Sequence, residues 1–175
     1  ICTREIDAKK GSDYHQRFRN YLSWYHQNDI NGCCAQTDSK GDRLKRPHEQ
    51  ANPDAYVHIV EENDEGIIVS GYKMSITQAA YADELFVIPT RALQEEDRDY
   101  AVAFAIPTDS PGLIHVVGRS SLDSRELDGC DIGNARYSKY CPTVIFDDVF
   151  VPNERIFMCG ETEFAVDMVV KFSSY

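Results

Sequence analysis

Apolar and polar residues alternate along this chain with two different periods. Near the start, Tyr14, Phe18, Tyr21, Leu22 and Tyr25 recur at i, i+4, i+7, i+8 and i+11. That spacing draws one face of a 3.6-residue helix, predicted over residues 12–28 with Ser12 as a fitting N-cap. A face this aromatic must be buried against another element. Beyond Gly32 the period falls to two. Residues 55–62 alternate, Asn63-Asp64-Glu65-Gly66 supplies a turn, and residues 67–70 return as a second strand, the clearest hairpin in the chain. Further strands are predicted at 72–77, 84–89, 100–106, 113–118, 143–150 and 155–158. The polar stretch 120–140 reads as a long loop. A second helix is expected from about Glu161, where Phe164, Met168 and Phe172 fall four apart. The chain is therefore read as mainly β, a sandwich or barrel with an N-terminal flanking helix and the start of a C-terminal one.

Composition narrows what such a domain does. The 175 residues are 42% hydrophobic and 27% charged, which suits one folded domain. With 18 Lys+Arg against 29 Asp+Glu the net charge is -11, the wrong sign for a phosphate-backbone binder, so nucleic acid is excluded as a partner. No apolar run reaches the ~20 residues of a membrane span. The six cysteines (Cys2, Cys33, Cys34, Cys130, Cys141 and Cys159) contain no C-x-x-C, which argues against a zinc ribbon or a redox dithiol. They read as free thiols of a cytoplasmic protein. No H-x-x-x-H, no G-x-S-x-G and no Walker loop is present, so zincin, serine hydrolase and P-loop chemistry have no support. The chain opens at Ile1 and closes at Tyr175 inside an apolar-periodic stretch, and is read as a piece of a longer protein.

Three segments carry candidate chemistry. Gln36-Thr37-Asp38-Ser39-Lys40-Gly41-Asp42-Arg43 offers hydroxyls, backbone N–H groups and a guanidinium, all donors to carbonyl or phosphate oxygens; a solvated turn has the same composition. In Gly71-Tyr72-Lys73-Met74-Ser75-Ile76-Thr77-Gln78 a continuous strand would place Lys73, Ser75 and Thr77 on one face, either wet or lining a pocket. Residues 146–157, FDDVFVPNERIF, read as strand, Pro-punctuated turn and strand, a packing element with an acidic edge.

Taken together, these motifs resemble a known family. TDSKGDR followed by GYKMSITQAAYADELFVIP looks like the central β domain of the acyl-CoA dehydrogenase superfold, where a T-[DE]-P loop and a later G-x-K-x-x-x-T strand hold the flavin. FDDVFVPNERIF resembles the signature of the 4-hydroxyphenylacetate 3-hydroxylase / 4-hydroxybutyryl-CoA dehydratase family, with the dehydratase branch nearer. The stretches EIDAKKGSDYHQRFRNYL, DEGIIVSGYK, EEDRDYAVAFAIPTDSPGL and GRSSLDSRELDG fit as well, so the likeness spans the chain.

The resemblance implies a cytoplasmic, homotetrameric flavoprotein. Residues 1–29 would be the tail of a preceding helical domain, 30–160 the β-barrel flavin domain, and 161–175 the start of a C-terminal helical domain. FAD would lie against Gln36, Thr37, Asp38, Lys40, Gly41, Asp42, Arg43, Ser75 and Thr77. The parent would be a dehydratase or oxidoreductase acting on a hydroxyacyl-CoA, its CoA met by a local basic patch of Lys40, Arg43, Lys45 and Arg46. The alternative is a reduced-flavin monooxygenase acting on a small aromatic phenol. A further alternative is that the chain is an inert folding or assembly unit, completed by other domains and copies. An iron–sulfur cluster in the parent would take its ligands from outside this chain, and no catalytic residue is assigned within it. Four positions depart from the family. Cys141 stands where dehydratases carry a Glu, and Ser75 where they carry a His. Cys34 stands where monooxygenases bind substrate with a His, and Ser39 where the flavin loop has its Pro. A thiol replaces a carboxylate as base only with a strongly shifted pKa.

Overall fold

The computed structural model describes residues 2–39, 41–119, 123–125, 129, 132–137 and 141–174. Two short helices come first, α1 (Thr3–Lys10) and α2 (Tyr14–Gln27), then β1 (Gly32–Ala35), β2 (His58–Glu62), β3 (Gly66–Lys73), β4 (Glu84–Val87), β5 (Val102–Pro107) and β6 (Leu113–Val116). After α3 (Ile132–Tyr137) follow β7 (Thr143–Pro152), β8 (Ile156–Cys159) and α4 (Ala165–Ser173). The strands form two four-stranded sheets of order β1-β4-β5-β8 and β2-β3-β7-β6. All pairs are antiparallel except β1 with β4.

Of the two expected forms, sandwich or barrel, the strands take the sandwich and the barrel is corrected: among the described residues each sheet keeps two edge strands and the pair does not close. The physical reason lies in the inward residues. β3 and β7 turn Ile67, Val69, Val144, Phe146, Val149 and Val151 inward, and β4, β5 and β8 turn Leu85, Val87, Phe104, Ile106, Ile156 and Met158 to meet them. Two apolar faces satisfy one another across a flat core. Phe104 and Phe146 meet edge to face at its centre, with ring centroids 6.0 Å apart. The outer face of the first sheet is covered by α2, whose Phe18, Tyr21 and Tyr25 pack on Phe86, Ala105 and Phe157. The predicted helix therefore exists, two residues shorter at its start and one at its end, with Asp13 rather than Ser12 at the N-cap because the Ser12 hydroxyl donates to Asp7, and its aromatic stripe is what holds it to the sheet.

Several predicted boundaries shift. The strand predicted at 72–77 is the end of β3, which stops at Lys73. Ser75 adopts a left-handed φ of 57° and breaks the alternation, so Lys73, Ser75 and Thr77 do not share a face. Helix α3 interrupts the loop predicted at 120–140; Cys130 lies outside the described residues. Two elements have weak sequence signals: α1 is polar apart from Ile6 and its neighbour Cys2, and β1 is four residues without alternation.

One buried ion pair ties the two sheets together. In β3 every second side chain faces inward, and Lys73 is the last of that series after Ile67, Val69 and Gly71. Gly71 is obligatory there, because at φ 123° a Cβ would lie 2.4 Å from the Tyr56 carbonyl. Lys73 Nζ donates to Asp38 Oδ1 at 2.5 Å, to the Gln36 carbonyl at 3.1 Å and to the Ile88 carbonyl at 3.0 Å. Thr90 donates its hydroxyl to the other Asp38 oxygen. Both ions are almost fully buried, at 2% and 4% exposed. Replacing Lys73 by Met leaves Asp38 buried without its counter-ion, so unfolding free energy should fall by about 3–5 kcal/mol. Replacing both, Lys73→Met with Asp38→Leu, should cost much less, and urea denaturation of the wild-type protein and the two variants checks the order.

Candidate functional site

The ion pair positions two loops against each other. One leaves β1 through Gln36 and Thr37; the other leaves β3 through Met74 to Gln78. The Met74 N–H donates to the Thr37 carbonyl at 2.8 Å, and the Ile76 N–H to the Pro142 carbonyl at 2.9 Å. Ser75 and Gln78 both hold positive φ, which folds the second loop back as an open turn. Between the loops lies a groove of about 490 Å³, lined by Gln36, Thr37, Ser75, Thr77, Gln78 and the Cys33–Cys34 edge of β1, with Phe172 of α4 at one end. Its size falls within the usual range of small-molecule sites.

The predicted site residues divide into two groups. Gln36, Thr37, Ser75 and Thr77 meet in the groove, and their amide and hydroxyl groups give it donors and acceptors. The Thr77 hydroxyl also contacts Cys141 Sγ at 3.1 Å, which places Cys141 against the groove wall. Asp38 is turned into the interior by Lys73. Lys40 lies outside the described residues. Gly41, Asp42 and Arg43 belong to a separate exposed turn built around Gln50. Its side chain accepts from the Asp42 N–H at 3.0 Å and donates to the Asp42 carbonyl at 2.9 Å. Arg43 borders a different opening of about 240 Å³, together with Tyr56, Thr90 and Arg91. Arg46 of the expected basic patch faces the buried Asp97 at 3.6 Å.

A second cavity, of about 390 Å³, adjoins the groove. It lies between α2 and the outer face of the first sheet, and shares Gly32, Cys33, Cys34 and Phe172 with the groove. Its walls are Phe18, Leu22, Tyr25 and Phe86, and Phe172 stacks on Phe86 at 5.7 Å. Gly32 admits the Tyr25 ring over β1, since a Cβ there would lie 2.7 Å from the Tyr25 hydroxyl oxygen. Burial pushes the Cys33 thiol up to about 11 and that of Cys34 to about 12, so both are neutral at physiological pH. At the floor sits Glu84, bonded to Arg155 at 2.7 Å and reached by the Tyr21 hydroxyl at 3.4 Å. Burial raises its pKa, and the nearby Arg155 charge only partly reverses this. Arg155 in turn lies over the Trp24 ring at 5.1 Å.

This cavity was not foreseen from the sequence. The aromatic helix face was legible, but reads as core packing, and Glu84 reads as the first residue of a strand. The available signal was a carboxylate directly heading the apolar run from Leu85 to Pro89. Among the described residues, no group of three or more His, Cys, Asp or Glu side chains could hold a metal ion, so no iron–sulfur ligands are assigned to them. No helix among them is long and apolar enough to cross a membrane.

Known proteins share this architecture. The chain is 43% identical over 176 residues to the 4-hydroxybutyryl-CoA dehydratase/vinylacetyl-CoA-Delta-isomerase of Clostridium aminobutyricum, a match covering 99% of this chain and 36% of that protein. Among solved structures, it matches an oxygen-tolerant archaeal 4-hydroxybutyryl-CoA dehydratase from N. maritimus with a TM-score of 0.86 and 40% identity. That match covers 97% of this chain and 34% of the other. It also matches the oxygenase component of 4-hydroxyphenylacetate 3-monooxygenase complexed with FAD, with a TM-score of 0.73 and 32% identity, covering 96% and 35%. The chain spans about a third of the length of the relatives it matches. The family model described as 4-hydroxyphenylacetate 3-hydroxylase N terminal matches residues 1–158. With nine-tenths of its length matched by that model, the chain belongs to the 4-hydroxyphenylacetate 3-hydroxylase family.

Proposed function

We propose that the groove takes the isoalloxazine ring of FAD and that the parent protein is a flavoenzyme of the dehydratase branch, acting on a hydroxyacyl-CoA. The observation that carries the first part is the donor set. Gln36, Ser75 and Thr77 face a slot bordered by an aromatic ring and two neutral thiols, which suits a flat ring system with one polar edge. The solved monooxygenase relative that holds FAD aligns with 96% of this chain. The branch follows from the higher likeness to dehydratases, 40% identity and a TM-score of 0.86 against 32% and 0.73.

In this reading the flavin supplies electron transfer to and from the substrate carbon chain. The residues of this chain do the positioning. The Ser75 and Thr77 hydroxyls and the Gln36 amide hold the polar edge of the ring. Cys141 holds the Thr77 hydroxyl in place from behind. Phe86 and Phe172 wall the adjoining cavity, where the substrate would lie shielded from water. Arg43 stands one turn away, where a more distant part of the cofactor or the CoA phosphates could meet it. The groove is open, so closure by other domains of the parent, or by further copies, is part of the proposal. The 175-residue chain alone is proposed to lack turnover.

Two outcomes are expected. In the full-length protein, Ser75→Ala with Thr77→Val should weaken FAD binding about tenfold or more, read by quenching of flavin fluorescence, since two hydrogen bonds are lost. Unchanged affinity would reject the assignment of the groove. Separately, Cys33 and Cys34 should be alkylated by iodoacetamide at pH 7.5 at least about tenfold more slowly than a free thiol, because little thiolate is present. Added FAD should slow them further, and peptide mass spectrometry gives both rates.

A further inference from the structure

Glu84 is a buried charged group that the flavin reading leaves without a task. It opens β4, stands in register with Gly32 of β1, and is 2% exposed. Both of its observed bonds, from Arg155 and from Tyr21, end on Oε2. Oε1 has no hydrogen-bond partner among the described residues, and the side chain lines the aromatic cavity. A carboxylate oxygen in an apolar cavity carries a desolvation cost until a donor meets it. Of the other walls, Phe18, Leu22 and Phe86 have no donors, the Tyr25 hydroxyl lies over Gly32, and the His26 ring makes no hydrogen bond to Glu84.

We propose that this cavity binds the uncharged end of a ligand through a hydroxyl group that donates to Glu84 Oε1. Arg155 already offsets the carboxylate charge at 2.7 Å, so a cationic ligand gains little there, and an anionic group would meet the carboxylate itself. A neutral O–H gains a charge-assisted bond without adding charge to a buried site. The aromatic walls fit a slender or flat apolar body. The cavity joins the groove at Cys34, two residues along β1 from Gly32, or roughly 7 Å. A ligand anchored at Glu84 therefore reaches the groove with its other end. The inference deepens the flavin reading by naming a feature of the substrate, and rests on it only for where that other end lies. The hydroxyl belongs to either a phenol or an aliphatic hydroxyacyl thioester; both present the same donor.

Titration calorimetry on the full-length protein, with and without FAD, tests this with two matched pairs. These are 4-hydroxyphenylacetate against phenylacetate, and 4-hydroxybutyryl-CoA against butyryl-CoA. One pair should show a preference of about tenfold or more for the hydroxylated member, and that pair identifies the source. Glu84→Gln should erase the preference while leaving the affinity for the deoxy ligand nearly unchanged, whereas a purely structural role would weaken both members alike. Tyr21→Phe should keep the preference. Equal affinity within both pairs in the wild-type protein overturns the proposal and requires no variant to fold. So does a preference that survives Glu84→Gln, or one that vanishes in Tyr21→Phe. A failure of the flavin assignment would show instead as absent FAD binding, with the hydroxyl preference still measurable.

Discussion

The ammonium group of Lys73 is the point on which the rest of this structure depends. A lysine buried to this degree is tolerable only if its charge is matched and its donors are used. Here Asp38 supplies the charge, and the carbonyls of Gln36 and Ile88 take further donors. These acceptors come from segments following β1 and β4, in one sheet, while Lys73 ends β3 in the other. Meeting the demands of one cation therefore fixes where both strand exits lie. The pair adds little net stability beyond what an apolar pair of similar volume would give, and its main effect is geometric.

The groove inherits its shape from that constraint. With Lys73 turned inward, the chain beyond it cannot continue as a strand against the same neighbour. Met74 bonds to Thr37, Ser75 enters the left-handed region, and Ser75 and Thr77 are delivered to the groove wall. The hydroxyls thus reach the site through a turn. On the other side of β1, the absence of a side chain at Gly32 lets Tyr25 close over the strand and create the aromatic cavity. Groove and cavity share the same four-residue strand, so whatever occupies one lies within reach of the other.

Much of this was legible in the residues. The aromatic stripe of α2, the hairpin of β2 and β3, and the strands β4 to β8 were all anticipated; burial alternates along β3, whereas β5 is buried on both faces. The polar groups of Gln36, Thr37, Ser75 and Thr77 were identified as candidates, and they do meet. Other elements were hidden for physical reasons. Helix α1 buries little more than Ile6 and Cys2, too few positions to show a period. The GCCA strand β1 is held by its parallel pairing with β4, a long-range contact that leaves no local mark. The barrel expectation failed because period-two patterning reports that a strand has one buried face and is silent on whether the sheet closes.

What the sequence by itself determined is most of the elements, the family, and the chemical groups available. Hydrophobic periodicity is a local property, and so is the presence of a hydroxyl or a carboxylate at a given position. Only the tertiary structure decided which of these groups share a surface. Asp38 stands next to Thr37 in the chain but points into the core because Lys73 draws it there; Arg43 lies six residues beyond Thr37 but belongs to a turn organised by Gln50. Glu84 becomes the floor of a cavity because Tyr21 and Arg155, 63 and 71 residues away, converge on it. Side-chain direction at a strand end is set by the partner that satisfies the buried charge, and that partner is remote in sequence.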